Sequence, residues 1–370
     1  MAGKSQAGMV RDLEVGDLQM VASLFAKTFR RSKPPTASLT DYLQEVFLNH
    51  PWSDPDICSK VFVEASGQVT GFVGVFPSRL ELDARPVRAA FAGSLMVDDP
   101  KGNPLAGARL LRAFMAGPQD ISITETANHT ALGMWQKAGY PLDPGYSMGW
   151  LRVLRPFSAA ADTGGRIVPP AGILRPVGRI LDRGAALARL MPFRPAERTA
   201  SKVSFSDATP EQFATAMMTL SRHFPLRPRW DERTLLWFLA QAQEKRDLGY
   251  PEWRVGYGPK GQLLGAYVYF SSPGNIGWLL QAVCAPGSEG ELVDDLFAHA
   301  YEMGYSGVRG SSHPWLIPAL MSRRTMLYGR SFFIADARDK SLLEPIKAGR
   351  ALVSGLAGET WTRLIGDRFD

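Results

Sequence analysis

The sequence predicts a mixed α/β chain built as two tandem copies of one fold. Three observations carry that expectation. The chain has 370 residues, too many for one ordinary core. Strand-like and helix-like stretches alternate from end to end. The stretch WRVGYGPKGQLLGAYVYFS at 253–271 repeats the layout of VFVEASGQVTGFVGVFP at 61–77: a β-turn, then a strand with an early glycine, Gly265 or Gly71. The same order of elements returns after roughly 200 residues.

Hydrophobic content of 45% and charged content of 21% place the chain among globular rather than disordered proteins. Two cysteines, Cys58 and Cys284, stand far apart, so neither a disulfide framework nor a thiolate zinc site is suggested. Five histidines, at 50, 129, 223, 299 and 313, show no metal spacing. No stretch reaches the apolar length of a membrane span, and the first residues lack an apolar signal core, so a cytoplasmic protein is expected. The net charge of +6 favours anionic partners without selecting nucleotide phosphates, RNA or a membrane face.

Residues 9–13 read as a first strand, and Asp17 as the cap of a helix in which Val21, Leu24, Phe25 and Phe29 share a face. Lys33-Pro34-Pro35 breaks that helix. Ser38, with Asp41 three residues on, opens a second. Residues 61–65 and 69–76 form a hairpin around Ser66-Gly67, closed by Pro77. Residues 87–97 make a third, long strand. Its small residues Ala90, Ala92, Gly93 and Ser94 imply that something packs closely there, either a ligand or a helix.

Residues 98–108, DDPKGNPLAGA, run into a helix at 109–115. A strand, a glycine-containing turn and a helix start form an anion site, because free amides and the helix dipole point at the ligand. The next stretch, ISITETANHTALGMWQKAGY at 121–140, is the centre of the chain. Ile121-Ser122-Ile123-Thr124 is a strand, Asn128 a helix cap, and Ala131, Leu132 and Trp135 a buried stripe. Gly139 ends the helix and Tyr140 follows. Residues 146–154 read as a strand that completes the first sheet.

Residues 158–165 have linker composition. Beyond them Ile173, Leu174, Val177, Ile180, Leu181, Leu187, Leu190 and Met191 are interleaved with Arg175, Arg179, Arg183, Arg189, Arg194 and Arg198. This basic amphipathic segment, 173–198, has three readings: peripheral contact with an anionic membrane face, a linker helix that packs its apolar side and solvates its arginines, or RNA binding, which the sparse aromatic stacking partners disfavour. In the second half, Thr209-Pro210 opens a helix and Asp231 caps another. A hairpin at 253–270, a long strand at 276–284, a helix at 292–303, a strand at 308–312 and a helix at 314–328 follow. The tail adds a helix after 341 and a strand-like 360–365 that pairs back onto a sheet.

The layout Asn128, Ala131, Trp135, Lys137, Gly139 and Tyr140 resembles the second signature block of the GCN5-related N-acetyltransferases, which usually show Asn, Ala, Tyr, Lys, Gly and Phe at this spacing. The resemblance implies an α/β mixed-sheet architecture of two tandem acyl-CoA N-acyltransferase folds. Residues 1–156 would be the coenzyme-binding domain, 157–200 the basic linker, and 201–370 a degenerate copy. It implies acetyl-CoA or another acyl-CoA as co-substrate, no metal, and transfer of the acyl group to an amine by direct attack. The family's phosphate block is Gln/Arg-x-x-Gly-x-Gly/Ala; here Asn103, Ala106 and Ala108 align with it, with Lys101, Gly102, Gly107 and Arg109 close by. The backbone of Leu95, Met96 and Val97 would supply the oxyanion contact. Asn128 would contact the pantetheine arm.

Trp135 stands where the family often has a tyrosine that protonates the leaving thiolate, which indole cannot do. Tyr140 or Tyr146 would then supply the hydroxyl. Glu125 is the first candidate for general base, since it ends the strand before Asn128; its other reading is a carboxylate that favours the following helix N-terminus. Glu64 and Glu81 are fallbacks. In the second copy Glu289, Glu291 and Asp294 crowd the matching helix start and would repel a pyrophosphate. The expected acceptor is a small-molecule amine or amino sugar, and a nucleic-acid partner is not expected. Two rivals use the same fold differently: aminoacyl transfer from a charged tRNA, as in the Fem-type transferases, and a non-catalytic binding module.

Overall fold

The computed structural model describes residues 8–30, 34–167, 175–187, 203–271, 275–366 and 369. The chain begins with β1 (Met9–Asp12), α1 (Leu18–Phe29), α2 (Ala37–Phe47), β2 (Lys60–Val63), β3 (Val69–Leu82) and β4 (Arg85–Val97). It continues with α3 (Ala106–Met115), β5 (Ile121–Ala127), α4 (His129–Lys137), β6 (Leu142–Asp143) and β7 (Met148–Val153). Then come α5 (Pro156–Ile167), α6 (Arg175–Leu187), β8 (Ser204–Asp207), α7 (Pro210–Leu220), β9 (Leu226–Pro228) and α8 (Glu232–Gln243). The hairpin β10 (Tyr250–Tyr257) and β11 (Leu263–Ser271) leads to β12 (Ile276–Cys284), α9 (Glu289–Glu302) and β13 (Gly307–Ser311). Finally come α10 (Ile317–Met321), β14 (Met326–Gly329) and β15 (Phe332–Ala337).

These elements divide into two units, neither of them continuous in sequence. One holds residues 1–147, 225–229 and 331–370; the other holds 148–224 and 230–330. The first unit's sheet runs β1-β2-β3-β4-β5-β15-β6, with β9 added beside β3; the second's, read from the equivalent edge, runs β8-β10-β11-β12-β13-β7-β14. The two orders match position by position, and the matched strands expose an exchange. β15 lies between β5 and β6, and β7 occupies the same place between β13 and β14. Each sheet therefore takes its sixth strand from the stretch of chain that follows the other's seventh.

This exchange corrects the expectation that 146–154 completes the first sheet: β7 pairs with β13 and β14 instead. A strand's own alternation fixes which face is buried but not which sheet it joins. Residues 326–329, expected in a helix, are strand β14, and residues 158–165, expected as linker, lie in α5. Residues 360–365 form turns rather than a strand. Pro77 does not end its strand: β3 runs through it, because β2 pairs no further than Val73 and leaves that side of Pro77 without a ladder to break. β3 and β4 then join through Asp83 and Ala84, both at positive φ (48° and 72°), as a tight two-residue hairpin turn requires.

Two caps also differ from expectation. Asp17 does not cap α1 with its side chain; it accepts two hydrogen bonds from the Arg11 guanidinium, at 2.6 and 2.8 Å. Thr36, not Ser38, caps α2 by accepting from the Leu39 amide. The caps expected at Asn128, Thr209 and Asp231 are present. Of the segment 173–198, residues 173, 174 and 188–198 lie outside the described residues. Within α6, Val177, Ile180 and Leu181 are exposed. Among the described residues, no helix is long and apolar enough to cross a membrane.

In the first unit, α3 and α4 cover one face of the sheet around Phe62, Val75, Leu110, Leu111, Phe114 and Trp135. In the second, α9 and α10 bury Leu292, Leu296, Phe297, Leu316 and Leu320 against Tyr267, Leu279 and Trp150.

Candidate functional site

β4 and β5 form the parallel pair at the centre of the first sheet. They stay paired only where Ala89, Ala90 and Phe91 face Ile121, Ser122 and Ile123; beyond that the strands part. On its other edge β4 carries a β-bulge at the same level. Phe72 pairs with Met96 and Gly74 with Gly93, so Ser94 and Leu95 oppose Val73 alone. Ser94 takes the left-handed conformation (φ 52°). A bulge re-aims the local backbone away from the ladder, which is why bulges recur beside binding sites.

The parted strands enclose a cavity of about 140 Å³. Gly93, Ser94 and Leu95 of β4, Thr124, Thr126 and Ala127 of β5, and Asn128, Ala131 and Trp135 of α4 line it. Phe25 and Phe29 of α1, Phe76 of β3, and Glu359, Thr362, Leu364 and Ile365 complete the wall. The cavity lies wholly within the first unit.

A segment after β15 closes one side through two buried carboxylates. Glu359 Oε1 accepts from the amides of Glu125 (3.1 Å) and Thr126 (2.9 Å) and from the Thr126 hydroxyl (2.8 Å). In return the Glu125 carboxylate accepts from the amides of Gly355 (3.0 Å), Glu359 (2.9 Å) and Thr360 (3.3 Å) and from the Thr360 hydroxyl (3.3 Å). Two glycines make room for this clamp. A Cβ on Gly93 would lie 2.2 Å from Glu359 Oε2, and one on Gly358 would lie 2.1 Å from Glu125 Oε2. Burial, with the Glu125 carboxylate as second cause, pushes the Glu359 carboxyl up to about 8, against the stabilising bonds from Thr126 and the two amides.

No family model matches the chain, and no curated protein matches it in sequence. Solved structures do match. A protein from Enterococcus faecalis V583, described as a conserved protein of unknown function and probable N-acyltransferase, is 10% identical, with a TM-score of 0.58 over 91% of this chain and 74% of that one. A GCN5-related N-acetyltransferase from Anabaena variabilis is also 10% identical, at a TM-score of 0.58 over 90% and 73%. Another, from Kribbella flavida, is 11% identical at 0.53 over 92% and 74%. The fold is that of the GCN5-related N-acetyltransferases.

On this fold the residues expected from sequence fall into three places. Leu95, Asn128 and Trp135 line the cavity. Asn128 Oδ1 accepts from the Ala131 amide at 2.9 Å, and Trp135 is buried edge-to-face against Phe114 and Tyr140, at 6.0 and 5.6 Å. Tyr140 reaches Trp135 without lining the cavity, and Met96 is buried beside Phe72. Tyr146, the alternative hydroxyl, is buried and donates to the Ala351 carbonyl at 2.9 Å. Val97 and Lys101, Gly102, Asn103, Ala106, Gly107 and Ala108 sit at the β4–α3 connection and the start of α3, apart from the cavity wall. Glu125 lies at the cavity's edge in sequence, but its carboxylate is taken up by residues 355–360.

The sequence reasoning missed Glu359, Thr126, Phe76 and the segment 362–365. Gly93 and Ser94 were singled out for their size alone. Glu359 reaches its partner across 234 positions, and no local pattern announces it.

The acyl-coenzyme implied by the fold can be tested against these residues. The cavity's volume is close to the roughly 150 Å³ that holds a benzene-sized group, so a short acyl group fits. Leu105 caps α3 without any side-chain bond, which leaves the first-turn amides unclaimed by a side chain. Lys101 precedes that end in sequence, and the Arg109 guanidinium in α3 lies over the Phe62 ring at 5.1 Å. Within the connection, however, Asp99 Oδ1 accepts from the amides of Lys101 (3.1 Å) and Gly102 (2.9 Å), so the phosphate contacts that remain are those of the α3 terminus. The set fits the coenzyme with fewer phosphate contacts than the family's full block.

Proposed function

We propose that this chain is an acyl-CoA-dependent N-acyltransferase, and that its first unit moves a short acyl group from the coenzyme to the amine of a small molecule or amino sugar by direct attack. The observation that carries the reading is the parting of β4 and β5 at a bulge, around a cavity of acyl size. The coenzyme supplies an activated acyl group as a thioester. The chain's own residues do the rest. The apolar wall of Phe25, Phe76 and Trp135 excludes water from the acyl group. The bulged backbone at Ser94 and Leu95 presents polar groups to its carbonyl. The α3 terminus, with Lys101 and Arg109, holds phosphate. Positioning within that frame supplies much of the rate.

The test is the melting temperature of the purified protein with and without coenzyme A and acetyl-CoA. A ligand that binds only the folded state raises it, by an amount that grows with concentration. A rise that Ala131→Leu abolishes in a protein that still folds supports the cavity as the acyl site, because Ala131 lines it. No rise at millimolar coenzyme overturns the reading and favours the binding module, for which the Asp99-filled connection is the supporting feature.

A further inference from the structure

We infer that Glu359 accepts the proton of the attacking amine at the β4–β5 opening, and that Glu125 is its positioning partner; this rests on the acyltransferase reading above. The argument is geometric. Oε1 of Glu359 is fixed by three donors on β5, which sets the carboxylate's plane and leaves it no rotational freedom. Oε2 lies against Gly93, the cavity-lining residue beside the bulge, and accepts no hydrogen bond among the described residues. The arrangement holds one carboxylate oxygen and offers the other to the cavity.

Two other carboxylates that the sequence offered as bases, Glu125 and Glu81, are bound elsewhere. Both oxygens of Glu125 are spent on the amides of 355–360. Glu81 pairs with Arg227 at 2.8 Å. Neither lines the cavity, and Glu359 does. Gly358 permits the close approach of Glu125, so the two carboxylates and two glycines act as one latch that seats Glu359.

The step balances as follows. The neutral amine's lone pair forms the N–C bond to the acyl carbon, and an N–H proton passes to Glu359 Oε2. The C–S bond breaks, and the departing sulfur takes a proton back from Glu359, directly or through water. One amide and one free thiol result, and Glu359 returns to its ionised form. A base of this kind is most effective with a pKa near the working pH, and burial beside Glu125 raises Glu359 into that range. Glu125 is the charged group that faces Glu359 among the described residues. The other walls bring Phe25 from α1, Phe76 from β3, Ser94 from β4 and Thr362, none of which titrates.

The experiment compares wild type, Glu359→Gln and Glu125→Gln in three measurements. The first is thiol release from acetyl-CoA with a panel of primary amines and amino sugars, from pH 6 to 10. Glu359→Gln should lower kcat by roughly 10²- to 10⁴-fold, with the coenzyme-induced rise in melting temperature retained, which also shows that the variant folds. Glu125→Gln should lower kcat less and move the ascending pH limb to lower pH, because it removes the neighbouring charge that holds the Glu359 proton on. A merely structural Glu125 would not move that limb. The second measurement needs no turnover. The infrared band of a protonated carboxyl should disappear from the wild type as pH rises from about 7 to about 9, and be missing throughout in Glu359→Gln.

The third is stability against pH. The folded-state pKa of Glu359 is raised, so the folded protein keeps a proton that the unfolded chain has lost. That contribution is present below about 4.5 and is lost as pH rises through about 8. The wild-type unfolding midpoint should therefore fall across this window relative to Glu359→Gln. Taking the difference between the two proteins removes the opposite trend from His50 and His313, whose burial lowers them to about 3 and about 4.

If wild type releases thiol and Glu359→Gln is equally active, Glu359 is not the acceptor, while the acyltransferase reading stands. If neither coenzyme binding nor thiol release is seen in wild type, that reading fails and takes the proposal with it. If coenzyme binds but no amine of the panel is acylated, the infrared band decides: its absence overturns the proposal, and its presence only in proteins that carry Glu359 supports it.

Discussion

The two units share one strand order and differ in what lies beside their central parallel pair. In the second unit β12 and β13 pair from Ile276 to Leu279, and β12 then bulges at Leu280, between the partners of Val268 and Tyr269. So far this mirrors β4 and β5. At the last paired level, however, the second unit places a large aromatic core residue. Trp150 of β7, wholly buried, lies on Gly310, stacks edge-to-face on Phe297 at 6.1 Å and donates from Nε1 to the Ser311 carbonyl at 3.1 Å. Ala282, Cys284, Leu292 and Leu316 belong to the same core cluster. In the first unit a cavity and a tethered carboxylate stand there instead. Both sheets part beside a bulge, and the two units carry different side chains there. Acidic residues reinforce the contrast at the helix that follows: Glu289 and Glu291 occupy the first turn of α9, whereas α3 has no acid in its first turn.

Three substitutions would break or sharpen this contrast. The largest effect is expected from Trp150→Ala, which leaves a cavity in a packed core and should cost about 3–5 kcal/mol of stability. Chemical denaturation would measure it. Coenzyme-induced stabilisation per mole of folded protein should be unchanged; its loss would mean that the second unit takes part in coenzyme binding. Asn128→Ala removes the α4 cap and should cost about 1 kcal/mol of stability, together with part of the coenzyme-induced rise. A variant that loses stability but keeps the full rise would reduce Asn128 to a cap. The smallest effect is expected from Lys101→Ala, an exposed charge near the α3 terminus. Coenzyme A affinity by calorimetry should weaken roughly two- to fivefold at low salt and less at high salt. Salt-independent weakening would point to a role other than charge.

Local chemistry was legible in the sequence where residues a few positions apart decide it. The hairpin around Ser66-Gly67, the caps at Asn128, Thr209 and Asp231, and the left-handed Gly139 follow from neighbouring residues. The cluster Ala90, Ala92, Gly93 and Ser94 correctly marked a close approach, but a strand's small residues do not name what approaches. Pairing was legible only within hairpins. β7 and β15 are both six-residue strands whose positions are all buried or half-buried, and nothing in either distinguishes one sheet from the other. The candidate site divided along the same line. Asn128 and Trp135 lie in the signature stretch and Leu95 in the third strand to which the resemblance assigned the oxyanion contact, and all three line the cavity. Glu359 comes from turns that have no periodicity, and its role appears only when the amides of Glu125 and Thr126 are seen to lack a strand partner on that side.

The exchanged sixth strands set the timetable of synthesis. When β5 leaves the ribosome, the strand that covers its far edge is still roughly 200 residues away; at about 5–20 residues per second that edge waits some 10–40 s. During this interval Ile121, Ile123 and the β5 backbone present an unpaired, apolar ribbon, the kind of surface that recruits chaperones or a neighbouring nascent chain. The Glu125 carboxylate waits with it, since the amides that satisfy it, at 355–360, are made later still. A ribosome stalled between β14 and β15 would thus release a chain that has every strand of the second sheet and a first sheet still missing a strand and its latch, a species that cellular quality control is equipped to recognise.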